Sequence, residues 1–165
     1  PVLAKLLGAA SLVFTAVMLW SRVADARTVR IVFTVLASGS FVLAGFAAGA
    51  LCNWYGRLVL AGLVFCFLGD VLGPGNFMLG LYAFLIAHFG LSAALFSRGV
   101  QKKSLLISIP AGLAVSALVY FLWLGPNVPS SDIPQIAGYT VVITVMLIAA
   151  GARKPASVVA ARRSS

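Results

Sequence analysis

The stretch "FCFLGDVLGPGNFMLGLYAFLIAHFG", residues 65–90, decides the architecture. Two apolar runs flank Gly73-Pro74-Gly75-Asn76, a combination that stops one helix and permits a sharp reversal into the next. Within these runs stand Asp70 and His88, the latter the only histidine of the chain. Both side chains would be cheap in a water-facing loop. Here their neighbours call for lipid.

The whole chain carries the same signal. Of its 165 residues, 62% are hydrophobic and only 9% charged, against about 25% charged in an ordinary soluble domain. So large an apolar excess cannot be hidden in one small core, because a soluble protein must still cover its surface. The expected solvent is therefore the bilayer. Six apolar stretches follow, at roughly 3–20, 29–50, 57–72, 77–97, 104–124 and 133–151. A helix crosses the hydrocarbon in about 20 residues, range about 17–25. The third stretch is short by that measure unless it begins near Tyr55. Backbone polar groups in lipid need internal partners, so the spans are helices. Short connections imply antiparallel neighbours. The expected fold class is all-α: a polytopic transmembrane helix bundle forming a single domain over 1–165. Gly39, Ala44, Gly45, Ala48 and Gly49, with Ala111, Gly112 and Ala114, are small enough to let helices approach closely.

The formal charge of +9 raises nucleic acid as a partner. The basic residues, however, sit between apolar segments and form no contiguous face, so no nucleic-acid role is expected. With six spans, nine Lys and Arg fall on the side of the N-terminus and three on the other, namely Arg22, Arg27 and Arg30. That count puts the N-terminus in the cytoplasm, although the three arginines after the first span argue the other way. Cys52 and Cys66 lie in or beside apolar segments and imply no disulfide framework. One His, three Asp and two Cys at these spacings make no zinc pattern. No Gly-rich phosphate loop and no G-x-S-x-G elbow occurs. No metal and no cofactor is expected. The chain begins with Pro and ends in a basic tail, "ARKPASVVAARRSS", and is read as a piece of a longer protein.

Asp25 and Asp132 fall in connections, where a solvated acid needs no explanation. Asp70 lies near the end of the third span. An ionisable group at a helix centre costs about 2.5–3.5 kcal/mol on insertion scales and by default signals function, with a smaller cost near the helix end. The plain alternative is an Asp that hydrogen-bonds the Gly73 turn. His88 lies deeper and shares a helical face with Leu81, Phe84 and Leu91. It is either a packed residue bonded to a neighbouring carbonyl or a group facing a polar cavity. A tight hairpin would set Asp70 opposite Leu79 or Gly80. His88 would then lie eight residues further along, about 12 Å at 1.5 Å each, so no direct dyad is expected.

These residues carry a resemblance. Gly69-Asp70 ending an apolar helix, then Phe77, Gly80, Leu81, Phe84, Ala87 and His88, then Tyr139 and Met146 in the sixth span, resemble the YhhN-type lysoplasmalogenase family. The specific part covers 63–96. Cys66 stands where members often have Ser. The resemblance implies about eight spans in the full protein, with a second membrane acid beyond Ser165. It also implies hydrolysis of the vinyl-ether bond of lysoplasmalogen-like lysophospholipids by carboxylic-acid general acid/base chemistry, in a bacterial cytoplasmic membrane. Asp70 and His88 would be the catalytic residues. Asn76, Phe77, Leu81, Tyr82, Phe84 and Tyr139 would border the substrate. The partners implied are the lysophospholipid and the surrounding membrane lipids. Two other classes stay open: a small transporter or channel using Asp70 and His88 as a proton relay, and a purely structural membrane subunit.

Overall fold

The computed structural model describes residues 2–23, 26–124 and 129–152. Six long helices account for nearly all of them, and no strand runs among the described residues. They are α1 (Val2–Val23), α2 (Arg27–Ala47), α3 (Trp54–Leu72), α4 (Phe77–Ser97), α5 (Lys102–Val119) and α6 (Ile133–Ala152). A short 3₁₀ turn, Ala50–Cys52, joins α2 to α3, and α5 runs on into one wider turn at Tyr120–Leu124. All six helices are long and apolar enough to cross a membrane. Asp25 and the basic tail lie outside the described residues.

The third span, which composition alone left short, reaches back to Trp54. Its start is set by Asn53, whose side chain accepts a hydrogen bond from the Gly56 N–H at 2.8 Å. This satisfies one of the otherwise orphaned first-turn donors. Arg57, where the third apolar stretch is expected to begin, already lies one turn inside the helix. Its Nε donates to the Leu51 carbonyl at 2.9 Å and closes the 3₁₀ turn against the helix. Gly49 takes a left-handed φ of 77° before that turn, a conformation open to glycine at little cost.

The outward faces are apolar to an extent water would not tolerate. Leu106 is 75% exposed, Phe121 72% and Leu122 71%. Contiguous apolar surface on this scale marks a lipid or protein contact, and with six spanning-length helices the protein is an integral membrane protein. Pro110 stands inside α5, a position tolerated in membrane helices because neighbouring groups re-satisfy the freed carbonyl.

Contacts group the chain into two units, divided within α4 between Gly90 and Leu91. In the first, α1 meets α2 through the buried Ser11 hydroxyl, which donates to the Ala37 carbonyl at 2.9 Å. Phe14 and Phe33 add an edge-on ring contact at 5.8 Å. Helix α2 meets α3 where Gly39 admits the Phe67 ring and Gly45 admits Leu60 and Leu63. Helices α3 and α4 approach most closely at two glycines: a Cβ on Gly80 would stand 2.6 Å from the Gly73 Cα. In the second unit, α5 and α6 pack antiparallel. The Thr144 and Ser116 hydroxyls meet at 2.5 Å, and Gly112 accommodates Ile148. The Gln101 N–H donates to the Ala152 carbonyl at 2.7 Å and ties the start of α5 to the end of α6.

Candidate functional site

Asp70 sits in the last turn of α3, half-buried. Its placement follows from the glycines around it. Gly73 is still helical, with its N–H on the Gly69 carbonyl at 2.9 Å, so α3 ends only after Asp70 is locked into the ladder. Gly69 next to it lies under the Phe84 ring, where a Cβ would come within 2.7 Å of two ring carbons. The two close approaches, Gly73 to Gly80 and Gly62 to Gly90, define the register of the α3–α4 pair.

That register corrects the expectation from the turn alone. Pairing 73 with 80 and 69 with 84 sets Asp70 level with Ala83, five residues before His88. The axial offset between Asp70 and His88 is therefore about 7.5 Å, not about 12 Å. The physical reason is that the helices touch where neither has a Cβ. Gly80 is one turn inside α4, so Phe77 to Leu79 lie beyond the point of contact. The two residues are thus closer in depth than the turn alone implies.

Across from α3, α2 presents Ser38. Its hydroxyl is near enough to the Asp70 carboxyl to interact with it, and it donates to the Thr34 carbonyl at 3.0 Å. A hydroxyl has one hydrogen and two lone pairs. If Asp70 is protonated, Ser38 accepts from it and keeps donating to Thr34. When Asp70 is ionised, Ser38 turns its hydrogen to the carboxylate. The pair thus accommodates either protonation state without leaving a buried polar atom unmatched. Cys66, one turn before Asp70 on the same face of α3, is a half-buried free thiol near enough to interact with the carboxyl.

His88 is half-buried. Its Nδ1 lies 2.6 Å from the Phe84 carbonyl. A carbonyl only accepts, so the ring proton is on Nδ1, and in the neutral ring Nε2 is the acceptor. The bond gives the imidazole a partner within its own helix, and it leaves Nε2 as the nitrogen that can accept a proton.

The other sequence candidates separate into kinds. Leu81 is buried and Phe84 half-buried against Gly69, beside Asp70. Phe77 and Tyr82 are half or more exposed, on the apolar outer face. Asn76 is exposed and caps α4: its Oδ1 accepts from the Leu79 N–H at 3.2 Å. Tyr139 is half-buried in α6 and belongs to the second unit. Ser38 and Thr34 were not singled out from the sequence, because a hydroxyl in a membrane helix ordinarily bonds its own preceding turn. The available signal was a spacing of four, Arg30-Thr34-Ser38, on one face of α2. Among the described residues no group of three His, Cys, Asp or Glu side chains is gathered to hold a metal ion.

With this geometry in view, comparison with known protein families places the chain. The model of the YhhN family matches residues 29–164. No curated protein and no solved structure matches the chain significantly.

Proposed function

The chain belongs to the YhhN family, and on that footing we propose that it is an integral-membrane hydrolase of the vinyl-ether bond of lysoplasmalogen-type lysophospholipids. The observation that carries the reading is a half-buried carboxyl group inside a membrane span, Asp70, with the Ser38 hydroxyl of α2 near enough to interact with it. Vinyl ethers need such a group. Protonation of the outer vinyl carbon makes an oxocarbenium ion, water adds to it, and the resulting hemiacetal breaks into a fatty aldehyde and the glycerophospho alcohol. The requirements parallel glycoside hydrolysis: an acid to give the proton and a carboxylate near the cation.

Asp70 is suited to both tasks in sequence. Protonated, it delivers the proton to carbon; ionised, it stands beside the cation it has created, with Ser38 now donating to it. His88, with Nδ1 held on the Phe84 carbonyl, is the group to take a proton from the water that captures the cation. Phe84, packed over Gly69 beside Asp70, supplies apolar wall next to the carboxyl, and Leu81, one turn earlier on α4, is buried. The lysine and arginine count assigns the N-terminus to the cytoplasm, which sets the Asp70 end of α3 toward the opposite face.

The test is aldehyde release from a lysoplasmalogen by the protein in detergent, beside Asp70→Asn. The reading expects release by the parent and a loss of at least about a hundredfold in the variant, as for removal of a general acid, with helical content unchanged. Failure of the parent across a panel of vinyl-ether lipids would discard the hydrolase. A proton relay through Asp70 and His88 would then lead, since membrane acids and histidines mark such pathways too.

A further inference from the structure

Helix α2 carries a polar stripe that the catalytic reading does not use in full. Arg30, Thr34 and Ser38 are spaced by four residues and fall within one narrow arc of the helix. Thr34 donates to the Arg30 carbonyl at 2.8 Å and Ser38 to the Thr34 carbonyl at 3.0 Å. All three are half-buried. The stripe ends at Ser38, which the packing of Gly39 on the Phe67 ring turns toward the Asp70 end of α3. Since α2 and α3 run antiparallel, its other end, Arg30, lies level with the start of α4, at the edge of the apolar layer.

Arg30 also stands out by charge. It is one of three arginines on the side that the remaining nine Lys and Arg do not share, so topology does not call for it there. Among the described residues it makes no ion pair. An arginine is the side chain best shaped to hold a phosphate, through paired N–H donors.

The spacing supplies a ruler. Arg30 lies eight residues before Ser38, about 12 Å along the axis. In a lysoplasmalogen, seven bonds separate the vinyl carbon that takes the proton from the phosphorus, about 8 Å when extended at ordinary bond lengths. A contact of about 3 Å at each end brings the span to the same scale. Resting on the hydrolase reading, we infer that the Arg30–Thr34–Ser38 stripe is the track for the polar end of the substrate. Arg30 holds the phosphate of a lysophospholipid headgroup at the membrane edge, Thr34 lines the glycerol, and the ether bond reaches Asp70.

The experiment measures binding and turnover separately. Binding is read in nanodiscs with a saturated-ether lysophospholipid, which cannot be hydrolysed by protonation, and with the matching alkylglycerol, which lacks phosphate. The protein should bind the phosphorylated ether at least about tenfold more tightly, the scale of one charge-assisted contact. Arg30→Gln should abolish that preference while leaving alkylglycerol binding as it was, and Arg30→Lys should keep part of it. The bilayer's diacyl phospholipids are in excess in every arm, so a merely interfacial arginine would give no preference. An unchanged preference in Arg30→Gln, or none in the parent, overturns the inference. Displacement by glycerol phosphate as readily as by the lipid would assign the site to soluble phosphate esters and overturn it as well. Turnover of a vinyl-ether lipid, measured in parallel, keeps the two readings apart. Preference without aldehyde release sinks the hydrolase and leaves the phosphate site standing; release without preference does the reverse.

Discussion

Replacing Gly80 by alanine tests the packing that sets Asp70 and His88 at their depths. The added Cβ would stand 2.6 Å from the Gly73 Cα, 3.0 Å from its nitrogen and 3.1 Å from the Gly69 carbonyl oxygen. All three are backbone atoms, and none can swing aside. To restore ordinary contact α3 and α4 must part by about 0.8 Å at this point, and overpacking of that kind costs about 1–3 kcal/mol. Alanine also favours helix over glycine by about 0.8–1.0 kcal/mol. Gly138→Ala and Gly8→Ala isolate this second effect, since a Cβ at either meets nothing within 4 Å. Gly69→Ala is intermediate: the Cβ would meet the Phe84 ring at 2.7 Å, but a ring can rotate away. Unfolding midpoints in detergent should therefore rank Gly80→Ala lowest, Gly69→Ala next, and Gly8→Ala and Gly138→Ala at or above the parent. A Gly80→Ala protein as stable as Gly138→Ala would refute the close α3–α4 approach and the register drawn from it.

Further outcomes follow from individual contacts. Ser38→Ala should reduce aldehyde release by about 3- to 20-fold, the range for one interhelical hydrogen bond in a membrane protein; Ser38→Thr should retain most of it, and equal loss in both would remove the hydroxyl from the account. In the second unit, the Ser116 and Thr144 hydroxyls at 2.5 Å should show a coupling of about 0.6 kcal/mol in a double-mutant cycle of Ser116→Ala and Thr144→Val, and additive losses would deny the bond between them. Pro74, exposed in the α3–α4 turn, reports topology: a cysteine placed there should react with an impermeant thiol reagent in intact cells, in a background where exposed Cys52 is replaced. Reaction only after permeabilisation would invert the orientation read from the charge count.

Amino-acid composition alone determined the solvent, and with it the class of fold. So many apolar residues and so few charges leave lipid as the only medium in which the backbone can be satisfied, and it is satisfied there by helices. The number of spans followed from length and hydropathy, and the hairpin from Gly73-Pro74-Gly75. Asp70 and His88 were legible for the same reason: an ionisable group costs enough in a span to stand out. Tertiary structure decided what each of them meets. The start of α3 depends on a side-chain cap at Asn53 that hydropathy does not register. The depth of His88 relative to Asp70 depends on where two helices come into backbone contact, and that is set by Gly73 and Gly80 facing each other across the pair. Ser38 was invisible in sequence because hydroxyls are common in membrane helices and bond their own carbonyls. Only the fit of α2 against α3, through Gly39 under Phe67, brings that hydroxyl to the one acid in the first three spans.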